Sequence, residues 1–308
     1  MPKLNITRFT VIKVPLEKAY QTVRDFRQWL TWSPWLISEP DCILNYAEDG
    51  KSYDWDGKVI GSGSLAITNE ILNERIDYRL NFLKPWKSTS DVSFTFSGNQ
   101  EQVEVTWTMN GSLPFFMFWM KSMMEALVGM DYQRGLLMLK DYLETGSVPS
   151  KLDISGAQEI EGFPYIGIKS NCAIADIGPS MERDFQKLED WIKESGVQPS
   201  GPAFSIYHKW DLVKGQGSYT SGFSLESMPE GLPSEFTSGQ LPSCQAFVIK
   251  HTGPYHHLGN AWSAGMGRAQ NKIFAENKRI APFEFYENHP KEVAENDLVT
   301  SVCFPIKG

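Results

Sequence analysis

The chain has 308 residues, with 37 acidic against 29 basic side chains and a formal net charge of −8. Length predicts two domains of ~100–200 residues each, and 41% apolar with 21% charged residues excludes wholesale disorder. The acid excess is shared, 15 basic to 18 acidic over residues 1–150 and 14 to 19 over 151–308, so neither half has the basic surplus that phosphate-backbone binding needs, and no nucleic-acid partner is expected.

Leu4 to Val14 alternates as a strand, and Pro15 sits where a helix can begin, over residues 16–25, with Ala19, Tyr20 and Val23 on one face. An aromatic turn follows (Trp29, Trp32, Ser33-Pro34-Trp35). From Ile43 to Met109 come β-like runs at 52–60, 63–69, 74–83, 88–97 and 102–110, separated by Glu48-Asp49-Gly50, Gly61-Ser62-Gly63 and Gly98-Asn99. A long helix is predicted from Phe115 to about Glu144, stopped by Gly146. Its first half, Phe115 to Met124, is apolar almost all round, as a buried helix or the roof of an apolar cavity would be, and its methionines suit a repacking cavity wall.

Residues 147–158 read as a linker by composition. The second half then repeats an order: strand 165–169, helix 179–195, strands 203–210 and 218–226, a Pro/Gly/Ser-rich passage from 228 to 243, then strand 245–251, helix 256–277 and strands 283–288 and 298–305. Pro202-Ala203-Phe204-Ser205-Ile206-Tyr207 matches Ala281-Pro282-Phe283-Glu284-Phe285-Tyr286 locally. Two such βαββ units predict a pseudo-symmetric α+β domain with a cleft between its halves.

Aromatic residues make up 13% of the chain, with ten Trp, which suits large cores or lined ligand cavities. The N-terminus lacks the apolar stretch of a signal peptide, and Leu113–Met120 is far short of the ~20 residues of a membrane span, so a cytoplasmic protein without membrane insertion is expected. Cys42, Cys172, Cys244 and Cys303 show no CxxC spacing, and His208, His251, His256, His257 and His289 show no ligand spacing, so no metal is expected. With no Walker A loop, GxGxxG, GxSxG or HExxH, no cofactor and no catalytic residue is assigned. Asp54 and Asp56 share a strand face, which is raw material for acid–base work but more commonly a solvated rim.

Val14-Pro15 ahead of the short helix, Trp32-Ser33-Pro34-Trp35 after it, Gly61-Ser62-Gly63, Val105-Thr106-Trp107 with Met109-Asn110-Gly111, and Val128-Gly129-Met130-Asp131-Tyr132-Gln133-Arg134-Gly135-Leu136 together carry a resemblance over residues 4–145. The first half resembles the polyketide-cyclase-like, START-related helix-grip superfamily. The resemblance implies an antiparallel sheet around a long C-terminal helix over residues 1–146, with an apolar tunnel for which Trp35, Trp55, Phe82, Phe94, Trp107, Met120 and Met124 are the candidate lining. Asp131, in the matched helix run, stands at the tunnel mouth or in a surface ion pair.

Gly253-Pro254-Tyr255-His256-His257-Leu258-Gly259-Asn260-Ala261-Trp262, Pro282 to Asn288 and Leu298 to Ile306 carry a second resemblance. Residues 159–308 are similar to gyrase-inhibitor-like effector-binding domains, which take hydrophobic, often cationic, compounds between two βαββ halves. The implied cleft residues are Phe163, Tyr165, Tyr207, Tyr255, Trp262, Glu284, Tyr286 and Ser301. Where that family often has Thr-Glu, supplying a buried anion, this chain has Thr300-Ser301, and strand alternation does not tell whether Glu284 faces the cleft instead. No basic helix-turn-helix segment precedes the effector-like half. The reading is a two-module binder of hydrophobic lipid, polyketide or drug-like small molecules. An enzyme (cyclase or hydrolase) using Glu284, Asp54 or Asp131, an acidic protein-docking module and a homodimer are left open.

Overall fold

The computed structural model describes residues 2–84 and 86–307, and the chain divides into two compact units, Met1–Pro149 and Ser150–Gly308. The first contains β1 (Lys3–Ile12), α1 (Leu16–Arg24), α2 (Trp29–Trp32), β2 (Ile43–Tyr46), β3 (Ser52–Asp56), β4 (Ser62–Ile71), β5 (Arg75–Lys84), β6 (Ser88–Gly98), β7 (Val103–Ser112) and α3 (Lys121–Thr145). Its seven strands form one antiparallel sheet in the order β1-β7-β6-β5-β4-β3-β2.

Local chemistry explains these elements. In β1, buried Leu4 and Ile6 alternate with exposed Lys3, Asn5 and Thr7, the period-2 pattern of a sheet covered on one side. α1 starts after Pro15 and buries Ala19, Tyr20 and Val23. α3 runs against the sheet, burying Tyr132, Leu136, Leu139 and Leu143, and stops at Gly146, whose φ of +88° places it in the left-handed region. At Gly135 a Cβ would come within 2.8 Å of the Trp107 ring and 3.0 Å of Pro34, so the helix sits this close only because the side chain is missing. The core is an aromatic stack: Trp107 lies parallel to Tyr132 at 3.9 Å and to Phe94 at 4.7 Å, with Trp29 and Trp32 edge-on.

The second unit contains β8 (Lys151–Ile160), β9 (Phe163–Ala173), α4 (Ile177–Ser195), β10 (Ala203–Asp211), β11 (Gln216–Ser224), β12 (Thr237–Leu241), β13 (Cys244–Thr252), α5 (Gly259–Gln270), β14 (Phe283–Tyr286) and β15 (Val299–Pro305). The sheet order is β12-β9-β11-β10-β14-β15-β13-β8. The two βαββ repeats, β9-α4-β10-β11 and β13-α5-β14-β15, meet where β10 pairs antiparallel with β14, and Ser205 stands directly opposite Glu284. These two residues are also equivalents in the local repeat, so they mark its pseudo-two-fold centre.

Four expectations change. Most of the stretch expected as a linker, 147–158, is strand: residues 151–160 form β8, whose Leu152 and Ile154 pack on the α5 side of the sheet. Its Ser/Gly-rich middle accommodates an irregularity at Gly156, φ +79°. The helix expected to reach residue 277 ends at Gln270, and β12 lies inside the Pro/Gly/Ser-rich passage. The apolar run ahead of α3 is neither buried nor part of one continuous helix. It forms a 3-10 segment over Phe115–Met120, with Met117 off helical geometry, and four of its aromatic rings are exposed.

Candidate functional site

In the first unit a cavity of about 120 Å³ opens between sheet and helix, lined by Trp29, Ser33, Trp35, Leu36, Tyr53, Trp55, Ile60, Leu65, Leu80, Phe82, Val92, Trp107 and Tyr132. Of the tunnel residues named from sequence, Trp35, Trp55, Phe82 and Trp107 are in this lining. Phe94 stands one layer behind, stacked on Trp107. Met124 is half-buried against the same core, whereas Met120 lies in the 3-10 segment and is no part of the lining. An apolar cavity of ~150 Å³ is enough to admit benzene, so this one has the size of a single small ring or a short aliphatic chain.

Few polar groups reach it. Trp107 Nε1 is buried, with the Tyr132 hydroxyl beside it. Ser33 Oγ accepts from the Leu36 amide at 3.4 Å. Asp131 is not in the lining: it accepts from Trp35 Nε1 at 3.1 Å and pairs with Arg134 at 2.7 Å, which ties the Trp-Ser-Pro-Trp turn to α3. Asp54 and Asp56 are exposed on β3, and Asp56 pairs with Lys84.

The denser polar site lies in the second unit. Glu284 on β14 is 1% exposed. Its Oε1 accepts from Trp262 Nε1 of α5, and its Oε2 accepts from the hydroxyls of Tyr207 (β10) and Tyr286 (β14), both at 2.8 Å. Tyr286 spends its one proton on Glu284, so Ser205 Oγ, 3.1 Å away, donates to the Tyr286 oxygen. Around this carboxylate Trp262 meets Tyr207 edge-on at 4.9 Å, Phe185 and Tyr255 meet Tyr286 at 5.5 and 5.7 Å, and Met181 Sδ lies 4.0 and 3.7 Å from the two tyrosine hydroxyls.

Register explains the convergence. Pairing puts Ser205 and Glu284 on one face of the sheet, two-residue alternation adds Tyr207 and Tyr286, and α4 and α5 supply Met181, Phe185 and Trp262 to it. Burial raises the Glu284 pKa above the usual carboxylate value, against the opposing pull of three donated hydrogen bonds. Burial also holds the Tyr207 and Tyr286 hydroxyls well above their ordinary value, with the neighbouring carboxylate adding to it, and Tyr255 is pushed up to about 12. Among the described residues Glu284 has no ion-pair partner.

The structure thus brings Tyr207, Trp262, Glu284 and Tyr286 together, with Tyr255 at the edge, 39% exposed. It places three other candidates elsewhere. Phe163 and Tyr165 point to the opposite face of the sheet and pack on Phe204. Ser301 pairs with Phe285, again on that opposite face, and donates to Glu287 Oε1 at 2.6 Å. Met181, Phe185 and Ser205 were missed. The only signal for Ser205 was its equivalence to Glu284 in the repeat, and Met181 and Phe185 show as one face of an ordinary amphipathic helix.

Residues 3–144 match the family described as polyketide cyclase / dehydrase and lipid transport, and residues 158–307 match the GyrI-like small molecule binding domain. The chain therefore joins one domain of each kind. A search of curated proteins gave no match. Among solved structures it is similar to EcmrR in a DNA complex, at 14% identity and TM-score 0.45, over 60% of this chain and 65% of that one. It is also similar to the EcmrR C-terminal domain, at 14% and 0.41 over 51% and 98%. The Aha1 dimer from Colwellia psychrerythraea aligns at 23% identity and TM-score 0.35, over 46% of this chain and 98% of that one.

Proposed function

We propose that this protein binds hydrophobic small molecules in two separate modules, and that the effector-like module selects compounds bearing a positive charge. The observation that carries the charge preference is Glu284: a buried carboxylate, held by three neutral donors among aromatic rings, with no cation to neutralise it among the described residues. Burying an unpaired carboxylate is costly, and an apolar cation entering among these rings would lower that cost while gaining cation–π contacts from Trp262, Tyr207 and Tyr286. The first module contributes a nearly all-apolar cavity whose affinity would rest on burial, ~25 cal/mol per Å². No helix among the described residues is long and apolar enough to cross a membrane, and we place this role in the cytoplasm.

The test is a titration of the full chain with a lipophilic cation, such as tetraphenylphosphonium, and with a neutral aromatic of matched size. Glu284→Gln should weaken the cation at least tenfold and leave the neutral compound within about twofold. Equal effects on both would remove charge selection from the reading. A second reading, hydrolysis or cyclisation with Glu284 as general acid, is favoured by its raised pKa and its contact with two tyrosine hydroxyls. Turnover of a bound compound that Glu284→Gln abolishes would support it.

A further inference from the structure

We propose that the end of the first unit carrying the 3-10 segment is a seat for an anionic lipid surface, a role that does not depend on which compound either module binds. The first observation is exposure. Phe115, Phe116, Phe118 and Trp119 are 61–76% exposed, four large aromatics within five positions. Clustered apolar area of this kind marks a contact surface in a folded domain. The backbone is arranged to present them: Pro114 precedes the segment, Met117 is off helical geometry, and Met117 and Met124 turn inward on the core while the four rings turn out.

The second observation is what lies beside them. Lys3 pairs with Ser112 in the β1–β7 register, and Asp91 of β6 pairs with Asn110, so the start of β1 and the β5–β6 hairpin stand at the same sheet end as the 3-10 segment. That hairpin exposes Leu83 and Trp86, adding to the apolar area. It also carries Lys84 and Lys87, and Lys121 opens α3. Two acids face these lysines, Asp56 against Lys84 and Glu125 against Lys121. Among the described residues Lys3 and Lys87 have no ion-pair partner. A unit whose acids outnumber its bases thus gathers four lysines around its largest exposed aromatic cluster.

Charge decides the occupant. A second copy of this chain docked face to face would bring the same lysines together, which repel. An anionic bilayer meets both features, with Trp and Phe at the headgroup boundary and lysines against the phosphates. The segment is far too short to span, so it would lie on the surface.

The test is vesicle co-sedimentation of the full chain at low salt. Phosphatidylcholine vesicles containing about 30% phosphatidylglycerol should retain the protein, and pure phosphatidylcholine should retain at least tenfold less. Phe116→Ser with Trp119→Ser should cut retention at least tenfold with the melting temperature unchanged, since both side chains are exposed. Lys3→Glu with Lys87→Glu should cut it on anionic vesicles. The proposal is overturned by absence of retention on either vesicle, by equal retention on both, or by retention that the aromatic substitutions leave intact. It is overturned as well if sedimentation velocity shows a dimer that those substitutions dissolve, which would assign the patch to a second copy.

Discussion

Glu284 and His251 are both buried in the second unit, and their ionisation bends its stability in opposite directions. The folded-state pKa of Glu284 is raised, so its protonated form favours the fold, and that contribution is lost as pH rises through the raised value. His251 is fully buried, its Nε2 3.0 Å from Ser150 Oγ, and burial lowers its pKa to about 4. Its contribution is present above the unfolded pKa near 6.5 and is lost as pH falls toward 4. Between pH 7 and 5 that loss amounts to roughly 2 kcal/mol. Urea unfolding at pH 7 and pH 5 should therefore show a smaller drop for His251→Gln than for the wild type, and a larger one for Glu284→Gln. In the sequence Glu284 stands among aromatic neighbours, whereas His251 lies between Lys250 and Thr252 at the end of an apolar run. What the sequence could not tell is which way Glu284 points, because Phe283, Phe285 and Tyr286 surround it with aromatics on both faces of β14, and only the pairing with β10 decides.

At the scale of elements, the strongly periodic pieces were legible. Strands β1 and β3 to β7, the start of α1 and the stop of α3 at Gly146 follow from alternation, Pro15 and a left-handed glycine. The edge strands β8 and β12 were not, since Ser, Gly and Gln give them loop-like composition and their strand character comes from pairing with β13 and β9. Phe163 and Tyr165 went to the wrong face for a related reason: both faces of this sheet carry buried apolar residues, so alternation shows no polar side to exclude. The loop after β3 is held by an acid that sequence reading passed over. Glu39, 4% exposed, accepts from the backbone amides of Lys58, Val59 and Ile60 at 2.6, 2.9 and 2.9 Å, and Ile60 lines the cavity. Glu39→Ala strands three amides and should cost roughly 2–3 kcal/mol in thermal unfolding of the first unit. An unchanged melting temperature would mean that water replaces the carboxylate at that loop.

At the scale of the whole molecule, the second unit shows how duplication makes a charged site. Two βαββ repeats place equivalent residues side by side at their centre, and two acids there would repel each other. The chain has one acid and one serine, Glu284 and Ser205, and hands the acid three neutral donors from both halves. The resemblance legible in the sequence located this unit, yet suggested that its anion was missing at Ser301. The fold offers an anion from the neighbouring strand. The measurement that tests this most directly is the affinity of the full chain for a lipophilic cation across pH 4 to 8, with a neutral aromatic as reference. Cation affinity should be constant at the upper end and fall about tenfold per pH unit once pH drops below the raised Glu284 pKa, while the neutral ligand stays flat. A cation profile as flat as that of the neutral compound would contradict the assignment of Glu284 as the binding anion.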